Sequence, residues 1–224
     1  MNSINYQCNS IFSQIELNMN NNRFWLPISC RENEIATIND FIEQFFSKKK
    51  SMLMIITGNK STGKTISVLH CYRMSIYKKQ IRFVDCDHYS PIQNLNNSQE
   101  RMIILDNLKN ANEIDKIINF YRDLNVGIIC ISRKHMSFDF LPKDYSISAI
   151  NYGMYSVEQL IVILREYLIC SQFKNNNSLP ESVLEDITNH VRAKNLTAFE
   201  TLKLLFEYFK CDLFGDHKNK MNIY

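Results

Sequence analysis

The sequence predicts an α/β fold, a parallel sheet covered by helices on both faces, followed by a small all-helical domain. Three features carry that expectation. Short apolar runs alternate with segments of helical periodicity between residues 52 and 131, and strands buried on both faces of a parallel sheet read as continuous apolar runs. A loop with two spaced glycines, Gly58 to Thr65, stands between the first of these runs and a helix. After about Gly153 the strand signals cease and only helical periodicity remains.

Residues 1–23 carry scattered apolar side chains among many Asn and Ser, with the tract Asn20-Asn21-Asn22 and no sustained period. They are read as a tail or as a segment ordered by a partner. A core is expected over residues 24–151. Its first helix runs from Glu32 to Phe46, where Ile35, Ile38, Phe41, Ile42 and Phe45 recur at helical intervals. Lys48-Lys49-Lys50 closes it, because basic side chains suit the negative end of a helix dipole. Met52–Ile56 is the first strand and Ile66–Ile76 the helix that leaves the glycine-rich loop. Ile81–Val84, Met102–Leu105 and Val126–Ile131 are three further strands, with Ile114, Ile117, Ile118 and Tyr121 marking a helix before the last of them. Residues 152–224 are assigned to a helical lid made of Val157–Gln172, Pro180–Ala193 and Thr197–Phe209.

Composition narrows the function classes. At 224 residues the chain can bury a substantial core. No uninterrupted apolar run approaches the roughly 18 residues that cross a bilayer, and the N-terminus lacks the basic and apolar regions of a secretory signal. The expected setting is therefore intracellular, with no membrane partner. Seven scattered cysteines, none paired as C-x-x-C, suggest reduced thiols and neither a disulfide framework nor a zinc site. A formal charge of +3 permits nucleic-acid binding without pointing to it.

The loop Gly58-Asn59-Lys60-Ser61-Thr62-Gly63-Lys64-Thr65, followed by Ile66, has the G-x-x-x-x-G-K-T pattern of a phosphate-binding loop, or P-loop. Its glycines let the backbone fold so that several N–H groups point inward at phosphates, and the helix behind it presents its positive end. Lys64 would meet the β and γ phosphates and Thr65 would offer its hydroxyl to magnesium. The expected ligand is a nucleoside triphosphate, ATP with Mg2+. Asp106, at the end of the apolar run Met102–Leu105, is the candidate metal residue; the plainer reading is an aspartate capping a turn. Asn107 follows it, and an amide can orient water but cannot take its proton at neutral pH. Hydrolysis is therefore expected to be very slow. Ser132, beside Arg133 at the end of the next strand, either touches the γ phosphate or opens the following loop.

These residues resemble the AAA+ ATPases that recognise and license replication origins. The resemblance starts at Leu26-Pro27 and Cys30-Arg31-Glu32-Asn33-Glu34, similar to an R-E-x-E segment that in those proteins lies near the adenine, which implies that role for Arg31. It continues through Phe83-Val84-Asp85-Cys86, Ile104-Leu105-Asp106 and Val126–Ser132 to Tyr155-Ser156-Val157-Glu158-Gln159-Leu160, which is similar to the first turn of their helical lid. The amide after Asp106 makes the chain most similar to the subunit 5 branch of the eukaryotic origin recognition complex. The resemblance implies a nuclear protein acting with other subunits of that complex in a ring around double-stranded DNA, with ATP mainly as an assembly ligand. It also gives Arg122 the position of the arginine finger that completes a neighbouring subunit's site. Two features depart from the pattern. Ala193-Lys194-Asn195-Leu196-Thr197 lacks the lid arginine of the loader branch, leaving Lys194 or Arg192 near that point, and the residues after Tyr208 leave no room for a winged-helix region. The competing expectation is a hydrolysing DNA-dependent ATPase of the helicase-loader or clamp-loader kind.

Overall fold

The computed structural model describes residues 29–48, 50–87, 100–109, 111–120, 125–133, 145–170 and 181–194, with single positions between 197 and 204. Two compact units divide the chain. One is Cys30–Met154 and holds the sheet; the other holds Ser29 and the helices after Tyr155.

In the first unit α1 (Glu32–Lys48) precedes β1 (Met52–Gly58), α2 (Lys64–Met74), β2 (Ile81–Asp85), β3 (Met102–Leu108), α3 (Ala111–Phe120), β4 (Gly127–Ser132) and β5 (Ser146–Tyr152). The five strands form one sheet in the order β2-β3-β4-β1-β5, and every pairing is parallel. The apolar runs explain it, since successive residues of a strand point to opposite faces. From β1, Met52, Met54 and Ile56 join Ile38, Phe41, Ile42 and Phe45 of α1 and Val68 and Cys71 of α2 in one buried cluster. Leu53 and Ile55 join Ile114, Ile117 and Ile118 of α3 in the other. The sheet is therefore covered on both faces, and the α/β expectation holds.

One strand was not among those expected: β5. It is an edge strand whose residues are mostly half-exposed or exposed until the buried Tyr152. An edge strand needs no continuous apolar run, so Ser146-Ile147-Ser148-Ala149-Ile150 lacked the signal that marked the other four. Tyr152, the first residue assigned from the sequence to the lid, is the last residue of the sheet.

The second unit contains α4 (Val157–Cys170) and α5 (Glu181–Lys194). Reciprocal side-chain caps start α4: the Ser156 N–H donates to Gln159 Oε1 at 2.9 Å and the Gln159 N–H to Ser156 Oγ at 3.2 Å. Such a box satisfies two of the N–H groups left over at a helix start. Thr197 and Glu200 repeat it at 2.8 and 3.3 Å. Ser29 Oγ donates to Glu166 of α4. No helix among the described residues is long and apolar enough to cross a membrane. Cys71 and Cys130 are buried free thiols, and burial pushes the Cys71 thiol up to about 12. Residues 1–28, Arg122 and the tract Asn175–Ser178 lie outside the described residues.

Candidate nucleotide site

β1 ends in the loop, and the loop's backbone is bent where the sequence places glycine. Gly58 has φ +143° and Gly63 φ +92°, with Ser61 between them also left-handed at +61°. Residues of opposite handedness in succession turn their N–H groups toward one concavity, which suits an anion. Gly63 caps α2, whose first residue is Lys64. The charge-bearing lysine therefore stands where the helix presents its positive end.

Lys64 is 7% exposed. Its Nζ donates to the carbonyls of Gly58 and Asn59 at 2.8 and 2.6 Å, and to Thr62 Oγ1 at 3.3 Å. Burial pushes its ammonium below the usual lysine range; nearby Asp106 opposes that, while Arg133 and Arg31 add to the fall. The charge of the buried Lys64 thus feels those of the exposed Arg133 and of Arg31, itself paired with Glu34, against that of Asp106. A polyanion would relieve their mutual repulsion and take over the bonds that Lys64 makes to loop carbonyls, so these residues fit a triphosphate tail. Asn59 and Lys60 are exposed, and Thr62 anchors the loop by donating to the Asn59 carbonyl at 2.9 Å. Ile66 is half-buried in the first turn of α2.

Asp106 reaches the same point from β3, two strands from β1 in the sheet. Thr65 Oγ1 donates to Asp106 Oδ1 at 3.0 Å. A hydroxyl beside a carboxylate is the donor set that a hard divalent cation takes from a protein alongside phosphate oxygens and water. The register of β3 against β4 slips at this place: Leu105 faces Cys130 but Leu108 faces Ser132, so Asp106 and Asn107 stand opposite Ile131 alone. Asn107 has φ +58°, a left-handed conformation that asparagine accepts more readily than most residues. A bulge re-aims side chains at a strand end. Here Asn107 Nδ2 donates to Asp85 Oδ1 at 3.2 Å, while its N–H donates to Asp106 Oδ1 at 2.9 Å. Asn107 shares a cavity of about 330 Å³ with Asp87, Leu108, Lys109, Ser132 and Arg133. Ser132, buried at the end of β4, therefore lies beside Asn107, on a strand between those of the loop and of Asp106.

Arg31 packs within its own unit. Its guanidinium donates to the Gly153 carbonyl at 2.6 Å and to Glu34 at 2.8 Å, and lies 4.9 Å from the centre of the Tyr152 ring. It ties the start of α1 to the end of β5. Sequence reasoning missed Asp85 and Tyr152. Asp85 carries a legible signal, an acid at the end of an apolar run just as Asp106 is, whereas Tyr152 depends on the unforeseen strand β5.

Burial pushes the Asp106 carboxyl up; the Thr65 and Asn107 donors pull it down, Asp85 adds to the rise, and Lys64 opposes it. Its folded pKa being raised, the stabilising contribution is complete below the ordinary carboxyl value of about 3.9 and is lost as pH climbs through the folded value. At neutral pH the ionised Asp106 therefore costs the ligand-free protein stability. Asp106→Asn keeps the oxygen that accepts from Thr65 and Asn107. It is expected to raise the melting temperature at pH 7, by an amount that shrinks as pH falls toward 4. A lower melting temperature at pH 7 would contradict this.

No protein-family profile matches the chain, and no curated protein sequence matches it. Solved structures do. The Orc1 protein of Aeropyrum pernix in complex with DNA aligns with a TM-score of 0.59 at 16% identity, over 81% of this chain and 60% of that one. A chain of Drosophila ORC bound to DNA aligns at 0.50 and 16%, over 82% and 63%. S. cerevisiae Hsp104, in its casein complex, aligns at 0.58 and 12%, over 93% and 41%. This chain thus spans about three-fifths of the length of the first two. With the parallel order β2-β3-β4-β1-β5 and the glycine-rich loop leaving its β1 strand, these likenesses show the fold, an α/β P-loop core shared with the Orc1, ORC and Hsp104 structures.

Proposed function

We propose that the chain is an ATP-binding subunit of an origin recognition complex, similar to its subunit 5, in which ATP with Mg2+ serves mainly as a ligand for assembly. Lys64 binds the β and γ phosphates, the loop from Gly58 to Gly63 surrounds them with N–H groups, and Thr65 with Asp106 holds Mg2+ and its water shell. The metal supplies charge neutralisation of the phosphates. Arg31 sits at the base side of the site, Ser132 at the γ phosphate, and Arg122 reaches the site of a neighbouring subunit. DNA is contacted through the assembled ring, where phosphate contacts shared among subunits supply affinity that a formal charge of +3 on one member does not. The compartment is the nucleus.

The observation that carries this reading is Asn107. The loop, Lys64, Thr65 and Asp106 are brought together, yet the side chain next to Asp106 is an amide bonded to Asp85 at 3.2 Å. An amide holds water and accepts no proton. The likeness of fold to Orc1 and ORC structures, both solved with DNA, supports the replication setting.

Purification of the chain with its natural partners, followed by identification of the retained nucleotide, tests the proposal. Intact ATP and a turnover below about 1 per second are expected, the latter being the low end for enzymes. Bound ADP with faster turnover would favour a hydrolysing loader, and failure to co-purify with replication proteins would remove the assembly role.

A further inference from the structure

The end of the sheet where the strands begin lies opposite the glycine-rich loop and carries a charge pattern that the nucleotide site does not use. All the strands are parallel, so the residues that precede them line up. The Arg101 N–H donates to the Gln80 carbonyl at 2.9 Å, the Gly127 N–H to the Arg101 carbonyl at 3.0 Å, and the Met52 N–H to the Val126 carbonyl at 3.3 Å. Lys50 comes just before β1, Lys78 and Lys79 just before β2, and Arg101 just before β3, while Lys48 ends α1.

Aromatic rings tie these cations into one surface. Phe46, near the end of α1, stacks on Tyr77 with ring centres 4.1 Å apart. The Arg101 guanidinium lies 5.5 Å from the Phe46 centre and 5.6 Å from that of Phe45, and Lys78 Nζ lies 5.6 Å from the Tyr72 centre. A ring face attracts a cation and fixes its position without neutralising it. Residues 45–51 and 71–84 contain no acid. Glu100, beside Arg101, is taken up by Arg82 at 3.2 Å, and among the described residues no salt bridge engages Lys48, Lys50, Lys78, Lys79 or Arg101.

The same end of the sheet exposes two large apolar side chains. α2 returns here from the loop; its last residue, Met74, is 62% exposed, and Ile76 beyond it is 82% exposed. No other large apolar side chain among the described residues is as exposed as these two. A nucleic-acid backbone rewards the cations alone. Lysines without acids beside an exposed Met and Ile instead fit a ligand that carries both carboxylates and apolar side chains.

We propose that this end of the sheet docks an acidic, apolar-containing segment of a partner protein. Its apolar side chains cover Met74 and Ile76, and its carboxylates meet Lys48, Lys50, Lys78 and Lys79, with Arg101 held ready by the two phenylalanine rings. Exposed lysines each contribute little and are screened by salt, so the attraction comes from their number and speeds encounter. Docking here leaves the loop around Lys64 open, and the inference goes beyond the proposed function without depending on ATP.

The test is fluorescence anisotropy with the purified full chain and three labelled probes: a peptide of alternating Glu and Leu, a peptide of the same length alternating Glu and Ser, and a random-sequence DNA duplex. The Glu/Leu peptide is expected to bind at least about 10-fold more tightly than the Glu/Ser peptide, because only it buries Met74 and Ile76. Lys78→Glu with Lys79→Glu is expected to weaken it about 10-fold or more at low salt, with a smaller effect at high salt. Ile76→Ser is expected to weaken it at least about 3-fold. Melting temperature and ATP affinity are expected to stay at wild-type values in both variants, since all three side chains are exposed and lie away from the loop. The inference is overturned if the two peptides bind alike, if Ile76→Ser has no effect, or if the duplex binds more tightly than the Glu/Leu peptide, which would make the surface one for nucleic acid. Loss of ATP binding in the wild type would remove the proposed function and leave this inference standing.

Discussion

Replacing Lys64 by Met is expected to weaken ATP binding at least about 100-fold while leaving the ligand-free protein folded. The side chain is buried, and its ammonium donates to the Gly58 and Asn59 carbonyls within 2.8 Å. On the proposed reading those bonds would pass to two phosphate groups, each bond charge-assisted and worth about 1.5–3 kcal/mol. Their loss corresponds to an affinity weakened at least about 100-fold. Met preserves the alkyl stem, so the packing around Thr62 and the loop is kept. Without ligand, burial pushes the lysine below its ordinary pKa, Asp106 opposing and Arg133 and Arg31 adding to the fall, so its removal takes away a charge that is costly to bury. Titration with a fluorescent ATP analogue and a melting curve separate the two effects. An affinity within about 3-fold of the wild type would show that the backbone N–H groups hold the triphosphate without Lys64.

Gly58→Ala is expected to be the most damaging single substitution for stability. A Cβ at this position would stand 2.5 Å from the Tyr152 carbonyl oxygen and 2.9 Å from its Cβ, both on the neighbouring strand β5. Because Gly58 and Tyr152 are register partners, β1 and β5 cannot separate there without giving up the end of their ladder. The backbone adds to this, since φ +143° lies in a region that side chains avoid. Strain of about 1–3 kcal/mol and overpacking of about the same size together remove about 4 kcal/mol, a large part of a typical domain's stability. Urea unfolding measures it. A loss below about 1 kcal/mol would mean that β5 yields easily and that the close approach is not a constraint.

These two positions show how differently parts of the site are written in the chain. Lys64 is legible because G-x-x-x-x-G-K-T is a local pattern: the glycines, the lysine and the helix start are consecutive, and the anion site follows from backbone geometry over a few residues. The second half of the site is not local. Thr65 meets Asp106 across 41 positions and Asp85 meets Asn107 across 22, and both meetings depend on the strand order. Asp106 was legible all the same, because an acid ending a buried apolar run is rare. Asp85 ends a run too, but nothing in the sequence says that β2 lies beside β3. Tyr152 and the whole of β5 were illegible for a further reason, as an edge strand exposed to solvent is under little pressure to be continuously apolar.

The sequence by itself determined the strands buried on both faces, the helices that cover them and the bent glycine-rich loop between β1 and α2, because each follows from side-chain periodicity or from glycine's freedom within a few consecutive residues. Only the tertiary structure decided that Asn107 turns on a bulge to face Asp85, that Arg31 clasps Gly153, and that Gly58 lies too close to Tyr152 for any side chain. Contacts of that kind join residues far apart in the chain, so they come into being only once the sheet has set its strands side by side.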